Sequence, residues 1–302
     1  MKHCFMVLDY RSVAAVAAVV REGSFERAAT TLGITPSAIS QRVRGLEERL
    51  GAVLIHRGQP CEATALGREL CAHFDRVRLL ERDLDPALGR AAGRADAPPM
   101  LTIAVNADSL ATWFHAAVAA FNKQADVSLD LKLDDEGHTA DRLRSGEVLA
   151  AVTADPEPVQ GCRTVALGNL RYAACASPEF IGRYLRDGVS SNRIAEAPHL
   201  RFDRRDTLQA RWAHEAYQTS LTGPVHWVPS THAFLHLALS GVGWGLQPLV
   251  MATAYLDAGR LVELLPGLRI DVKLYWTVAR LHAGTLAQLT QAVRATAARV
   301  LQ

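Results

Sequence analysis

The 302-residue sequence contains no apolar run near the roughly 20 residues needed to span a bilayer. The short run Val13–Val20 is preceded by Asp9 and Arg11 and followed by Arg21 and Glu22 with no cleavage-like segment, so it reads as a helix rather than a signal peptide. Cysteine is sparse and unpaired in pattern. Cys4, Cys61, Cys71, Cys162 and Cys175 are an odd number and form no CxxC pair, which excludes a disulfide or zinc framework and favours reduced thiols in the cytoplasm. An excess of charge is also missing: 33 Lys+Arg stand against 31 Asp+Glu for a formal +2, which excludes a polybasic nucleic-acid binder. Lysine itself is scarce, with only Lys2, Lys123, Lys132 and Lys273, so positive charge is almost all guanidinium.

What is present divides along the chain. Residues 1–65 show short helical patterns, residues 66–90 one long helical pattern, and residues 91–99 (AAGRADAPP) a linker rich in Ala, Gly and Pro. From residue 100 to 302 strand-like runs (Leu101–Val105, Val127–Leu133, Val148–Val152, Tyr172–Ala176, Leu274–Val278) alternate with helical patterns, which predicts a mostly parallel α/β domain. Charge follows the same division. Residues 1–94 hold 14 basic and 11 acidic side chains, and the remainder 19 and 20.

The segment from Ser24 to Gly51 predicts two helices joined by a three-residue turn. Ser24 caps the first, whose Phe25, Ala28, Ala29 and Leu32 share a face, and Gly33 ends it. Thr35 caps the second, with Pro36 at its first position and a buried stripe of Ile39, Val43, Leu46 and Leu50. Its other face presents Ser37, Ser40, Gln41 and Arg44, flanked by Arg42: hydroxyls, an amide and guanidiniums suited to base edges and phosphates. The loop His56–Glu62 carries Arg57 and suits a wing against the DNA backbone. The competing reading is a plain helical hairpin with a solvated face, to which Glu47 and Glu48 lend weight.

The string GSFERAATTLGITPSAISQRVRGLEERLGAVLIHR, followed by TALG, resembles the amino-terminal domain of LysR-type transcriptional regulators. The resemblance extends over the whole chain. It implies an α/β protein overall: an N-terminal all-α winged helix-turn-helix, a long linker helix, and a C-terminal two-lobed α/β effector domain like that of periplasmic binding proteins. Carried over by position, it implies that Ser24, Thr35, Pro36, Ser37, Ser40, Gln41, Arg42 and Arg44 face a double-stranded operator, and that Arg57 and the wing through Thr64 touch phosphate. The wing's Gly58-Gln59-Pro60-Cys61 departs from the more basic loops common in relatives.

In the long helix Leu66, Leu70, Phe74, Val77, Leu80, Leu84 and Leu88 form an apolar stripe that one helix cannot cover alone, which predicts pairing with a second copy. Packing on its own domain is the other reading. Family resemblance implies a homodimer assembling to a homotetramer, with RNA polymerase as a further partner.

Two lobes joined by a hinge bind small molecules in the cleft, at the carboxyl ends of strands. The first strand ends at Asn106-Ala107-Asp108-Ser109, a turn that opens a helix with free N–H groups. Asp108 would there be either a ligand-binding residue or an N-cap. The stretch Asp126–Asp141 has six acids against Lys132 alone, and Asp203 and Asp206 follow Leu200-Arg201-Phe202. If these acids line the cleft they favour a cationic ligand, although acids also crowd loops as caps. A metal site from Asp134, Asp135, Glu136 and His138 lacks a recognised ligand spacing.

The strings VNADSLATWF, DDEGHTADRLRSGEV and RFDRRDTLQ are similar to the LysG/ArgP subgroup of the family, activators of basic amino-acid export. The similarity implies lysine, arginine or histidine as effector. On that footing Asn106, Ala107, Asp108 and Ser109 would receive its carboxylate, while Asp203 or Asp206, or Asp135 with Glu136, would meet its ammonium groups. Thr153, Ser230 and Thr231 would add neutral hydrogen bonds, and Phe202 and Trp113 would pack on its stem.

Other classes find less support. The sequence has no nucleophile elbow, P-loop, HExxH or Cys/His pair at useful spacing, so no catalytic residues, cofactor or metal are expected. SGVGWGLQP at Ser240–Pro248 lacks GxGxxG spacing and reads as a turn entering a strand, and Trp227, Trp244 and Trp276 read as core aromatics. A transport solute-binding protein shares the two-lobed plan but has no use for residues 1–90.

Overall fold

The computed structural model describes residues 8–92, 100–133, 139–281 and 283–302, with side chains described for all of these except 82–92. Among them no helix is long and apolar enough to cross a membrane.

The amino-terminal unit packs α1 (Tyr10–Glu22), α2 (Phe25–Leu32) and α3 (Pro36–Leu50) around Val13, Val16, Ala28, Ile39, Val43 and Leu46, all essentially inaccessible to solvent. Val13–Val20 is thus the buried face of α1. Each helix starts on the side chain that its sequence offers: Asp9, Ser24 and Thr35 all accept backbone N–H bonds at their helix starts. Each ends on a left-handed glycine, Gly23, Gly33 and Gly51, where a Cβ is disfavoured.

Two short strands not expected in this region, β1 (Ile55–His56) and β2 (Glu62–Ala63), pair antiparallel and form a wing. The carboxylate of Glu47 accepts from Leu54 N at 2.8 Å and Ile55 N at 3.4 Å, tying the wing to α3. This acid is therefore a structural clamp, which weakens the plain-hairpin reading.

The long helix α4 (Ala65–Ala92) begins against the wing: Gly67 lies so close that a Cβ would stand 2.1 Å from the Leu54 carbonyl oxygen. Farther along, Arg21 of α1 pairs with Asp75 of α4 at 2.9 Å. Leu70, Cys71 and Phe74 pack on the amino-terminal core, whereas Leu79 is buried in the core of the carboxyl-terminal domain. The stripe is therefore divided. Leu70 and Phe74 serve their own unit, Val77 is half-buried, and Leu66 and Leu80 are exposed. The Leu84 and Leu88 side chains lie outside the described residues.

The carboxyl-terminal domain centres on a seven-stranded sheet in the order β10-β6-β11-β5-β3-β4, with β9 also paired to β6. β3 (Met100–Val105), β4 (Ser128–Leu133) and β5 (Ala150–Thr153) are parallel neighbours joined by helices, as βαβ units require. The two long strands β6 (Cys162–Ala176) and β11 (Arg269–Ala279) run antiparallel to each other, and β10 (Val262–Glu263) and β9 (Gly245–Pro248) are antiparallel to β6. The expectation of a mostly parallel sheet is thus corrected: the connecting strands that carry the chain between lobes are antiparallel.

Helices α5 (Ala107–Ser109), α6 (His115–Asn122) and α7 (Thr139–Ser145) connect the parallel strands, and α8 (Pro178–Tyr184) and α9 (Ser191–Glu196) follow β6. The second lobe holds β7 (His199–Arg201), parallel to β8 (Val225–Trp227), with α10 (Leu208–Tyr217), α11 (Thr231–Leu239) and α12 (Leu249–Asp257). Trp244 and Trp276 are fully buried, as expected of core aromatics. Trp227 is not. It is 42% exposed and lies between the guanidiniums of Arg201 and Arg204, at 5.2 and 5.3 Å from its ring. Cys61, Cys71, Cys162 and Cys175 are free thiols, and burial pushes those of Cys71 and Cys175 up to about 12.

The contact at Gly67 and the open surroundings of Gly45 predict opposite effects of one substitution. Gly67→Ala forces the start of α4 off the wing and lowers stability by about 1–3 kcal/mol. Gly45→Ala, with nothing within 4 Å of its Cβ position, raises it by about 0.5–1 kcal/mol through helix propensity. Denaturant unfolding of the two variants beside the parent checks both signs.

Candidate functional site

On the amino-terminal unit, the exposed side of α3 carries Ser37, Gln41 and Arg44, with Ser40 and Arg42 half-buried at its edge. The second helix of a helix-turn-helix presents this face to a major groove. Pro36 occupies the first turn, where no N–H is lost.

Three hydroxyls expected at the interface are engaged within the fold. Ser24 Oγ accepts from Glu26 N and Arg27 N. Thr35 Oγ1 accepts from Ala38 N. Thr64 Oγ1 donates to Val53 O at 2.9 Å and accepts from Gly67 N at 3.1 Å. Their first role is to fix the helix starts. On the wing, the Arg57 guanidinium stands 5.2 Å above the Phe25 ring and remains exposed.

In the carboxyl-terminal domain a cavity of about 270 Å³ opens between the lobes, at the carboxyl ends of β3, β4 and β5. Its first-lobe wall holds Asn106, Ala107, Asp108, Leu133 and Ala154, and its second-lobe wall holds Phe202, Asp203 and the run Arg205–Gln209 and includes Thr231 and Gln247. Tyr172 and Val272, from the two long strands, complete it. That volume lies just below the roughly 300–1,000 Å³ of common small-molecule pockets, a size suited to one amino acid.

Asp108 is the chemical centre of this cavity. The helix start is capped by Asn106, whose Oδ1 accepts from Ser109 N at 3.3 Å, so Asp108 is not the N-cap. Its carboxylate instead accepts from Tyr172 Oη at 2.6 Å and from Thr231 Oγ1 at 2.7 Å. One bond reaches the strand β6, the other the first residue of α11 in the second lobe. Among the described residues no cation pairs with it. Burial raises the Asp108 pKa above the ordinary carboxylate range, the two hydroxyl bonds oppose that rise, and the charge of Asp206 adds to it. Burial likewise pushes the Tyr172 phenol well up, reinforced by Asp108, so it stays a donor. After Asp108 the helix continues with a π-helical turn, Leu110–Phe114.

The loop at 202–207 is built by its acids. Asp206 accepts from Phe202 N and Leu208 N, Asp203 Oδ1 accepts from Arg205 N and Asp206 N, and the Arg201 guanidinium bonds the Asp206 carbonyl. Both carboxylates nonetheless line the cavity with Asp108. Arg205 is the one cationic residue among the described ones that line it, so the field inside is negative.

The geometry brings together Asn106, Ala107, Asp108, Phe202, Asp203, Asp206 and Thr231 as expected. It separates others. Trp113 is 1% exposed in the core, edge-on to Phe114, because its stretch of helix packs inward. Ser109 is fully buried and does not line the cavity; Thr153 Oγ1 accepts from Asp155 N; Ser230 caps α11 through Ala233 N. Asp135 and Glu136, like Asp134 and His138, lie outside the described residues. The turn at Asn106–Ser109, expected to receive a ligand carboxylate, presents the carboxyl group of Asp108 to the cavity.

Three lining residues went unremarked in the sequence: Tyr172, Gln209 and Gln247. Gln209 and Gln247 are 1% and 0% exposed, and Gln209 Oε1 and both Gln247 amide atoms have no hydrogen-bond partner. Each unpaired buried polar group costs about 1–3 kcal/mol. A signal was available: Gln209 shares the buried stripe of α10 with Trp212 and Ala213, and Gln247 interrupts the wholly buried strand Gly245–Pro248.

Comparison with known proteins agrees with this architecture. Residues 10–68 match the bacterial regulatory helix-turn-helix protein, lysR family, and residues 94–300 match the LysR substrate binding domain. The chain is 42% identical over 291 residues to the HTH-type transcriptional regulator LysG of Mycobacterium tuberculosis, covering 96% of this chain and 94% of that one. It is 43% identical over 290 residues to the HTH-type transcriptional regulator ArgP of Pseudomonas aeruginosa, covering 95% of each. Among solved structures, ArgP of Mycobacterium tuberculosis superposes with a TM-score of 0.77 at 40% identity over 98% of this chain and 99% of that one. Full-length LysG of Corynebacterium glutamicum with bound effector Arg superposes with a TM-score of 0.68 at 38% identity over 98% and 100%. A helix-turn-helix joined by one long helix to a two-lobed substrate-binding domain is thus the plan this chain shares with known regulators, and it belongs to the LysR family of transcriptional regulators.

Proposed function

We propose that the protein is a cytoplasmic transcriptional activator of a basic amino-acid exporter gene, and that it is switched by a cationic amino acid, lysine, arginine or histidine, in the interlobe cavity. The observation that carries the effector class is the Asp108 carboxylate, held by two hydroxyls from opposite sides of the cavity with no cation paired to it among the described residues. An effector ammonium or guanidinium supplies the missing counter-charge, and pairing within a low-dielectric site is far stronger than in water. The cavity's charge distribution suggests the orientation. Asp203 and the exposed Arg205 lie together on the loop wall and suit the zwitterionic head, while Asp108 with the buried amides suits the side-chain cation. The arginine carried by the related LysG structure supports the same class.

Binding acts by linkage. Asp108 belongs to the first lobe and Thr231 to the second, so a ligand that changes this contact shifts the equilibrium between lobe arrangements. Helix α4, with Leu70 and Phe74 in one core and Leu79 in the other, transmits the shift to the DNA-reading unit. The exposed Leu66 and Leu80, two heptads apart on α4, fit pairing with a second copy, and a homodimer assembling to a homotetramer places two reading helices on a symmetric operator. RNA polymerase contact then completes activation. A regulator rather than an enzyme or a transport protein is the reading because the amino-terminal unit is a DNA reader and the cavity holds binding groups without a nucleophile–base pair.

In a thermal-shift assay, L-arginine and L-lysine are expected to raise the melting temperature, while L-citrulline and L-leucine leave it unchanged. Equal shifts for charged and neutral amino acids would sink the effector class.

The Asp108 pKa also has a signed consequence. Because it is raised in the folded state, the effector-free protein holds that proton more tightly than the unfolded chain, and the contribution to stability is lost as pH rises through the raised value. Asp108→Asn removes this loss. At neutral pH the variant is expected to melt at the same or a higher temperature than the parent without effector, yet to give no shift with arginine.

On DNA, Gln41→Ala is expected to cost about 1–3 kcal/mol and relax sequence preference at one base pair, while Arg57→Ala weakens all duplexes alike and lowers the salt slope by about 1. Gel-shift titrations at several salt concentrations distinguish the two patterns.

A further inference from the structure

Gln209 and Gln247 approach the cavity from different elements of the second lobe. Gln209 stands in the first turn of α10, directly after the loop that carries Asp203 and Asp206. Gln247 stands on β9, opposite Ala173 of β6 and so beside Tyr172, the residue that donates to Asp108. Both side chains are buried and both line the cavity, yet Gln209 Oε1 and Gln247 Oε1 and Nε2 meet no partner among the described residues. Buried amides in folded proteins are nearly always bonded, so an unpaired pair facing one cavity marks groups kept open for a ligand. Their sequence neighbours Trp212, Ala213 and Leu246 belong to the hydrophobic core.

We propose that Gln209 and Gln247 are specificity-determining residues that hydrogen-bond the effector's side-chain cation and favour a guanidinium over an ammonium. The inference rests on the cationic-effector reading above. Each unpartnered Oε1 is an acceptor, and they add to the two oxygens of Asp108, which each already accept one hydroxyl. The group that satisfies acceptors on several walls must carry several N–H donors in a fixed plane. A guanidinium has five, in a rigid fork; an ammonium has three on a single atom and reaches fewer walls at once. A neutral ureido group of the same shape has fewer donors and no charge for Asp108.

The design has a separable signature. A side chain kept open for a ligand weakens the empty protein, so removing it stabilises the empty form while weakening the complex. Methionine approximates glutamine in volume and shape without the amide, so Gln209→Met and Gln247→Met test this with little repacking. Gln247→Leu is the second choice at the strand position.

Calorimetric titration of full-length parent, Gln209→Met, Gln247→Met and Asp108→Asn with L-arginine and with L-lysine, beside melting temperatures without ligand, gives the decision. The expected result is a melting temperature equal to or above the parent for both glutamine variants, with arginine affinity about ten- to hundredfold weaker and lysine affinity less affected. Parent-like arginine binding in both glutamine variants, with binding lost in Asp108→Asn, overturns this inference and leaves the cationic effector standing. Equal losses for arginine and lysine overturn the guanidinium preference. A parent protein that binds neither amino acid overturns the cationic reading and this inference with it.

Discussion

A single carboxylate shared by three elements sets the character of the regulatory domain. Asp108 closes the first strand–helix turn of the domain, accepts a hydroxyl from the long strand β6, and accepts another from the start of α11 in the second lobe. A buried negative charge with only neutral donors is unfavourable, and burial shows as the largest influence on its ionisation. The two hydroxyls relieve that tension in part, and among the described residues no cation pairs with the carboxylate. The acids of the 202–207 loop are fixed by backbone bonds and add to the negative field, and Gln209 Oε1 and the Gln247 amide have no partner among the described residues. A site so arranged fits the proposed response to a cation.

The response matters because of where the chain places its joints. Helix α4 belongs to two cores at once: Leu70, Cys71 and Phe74 on the DNA-reading side and Leu79 on the other. Arg21–Asp75 and the tight seat of Gly67 on the wing hold its first half, while the absent side chain of Gly146 leaves room for the Arg76 guanidinium at the edge of the regulatory domain. In the proposed mechanism, a helix held at its start by the DNA-reading unit and at Leu79 by the regulatory domain converts a change of lobe arrangement into a change in the position of α3. On that proposal, specificity on DNA depends on the few exposed groups of that helix and on the spacing of two copies, in keeping with the near-balanced charge of the sequence.

Much of this was legible in the sequence, for reasons that are local. Helix starts at Ser24 and Thr35, their glycine stops and the 4-3-4 stripe of α3 follow from short-range rules, and the structure repeats them. The cavity wall around Asn106–Asp108, Phe202–Asp206 and Thr231 was legible because strand ends and acid-rich turns mark a cleft. What escaped depended on long-range pairing. The antiparallel course of β6 and β11 requires partners a hundred residues apart; the wing was expected at the loop 56–62, but its two strands are too short for periodicity to show. Trp113 falls on the inward side of its helix, and Trp227 is held at the surface between two arginines. Asp108 looked like a cap because acids cap helices; Asn106, two residues earlier, had taken that place. Gln209 and Gln247 were visible only as polar letters in apolar company, a pattern that acquires meaning once both are seen at one cavity.

The central claim is that the effector's cation pairs with the Asp108 carboxylate, and proton exchange on binding tests it most directly. A carboxylate whose pKa is raised in the empty cavity and lowered by an incoming cation must give up its proton as the complex forms. L-arginine titrated calorimetrically at mildly acidic pH, in two buffers of different ionisation enthalpy, should therefore show net proton release in the parent and none in Asp108→Asn. Tight binding of arginine without proton release, or with the same release in both proteins, would contradict the pairing.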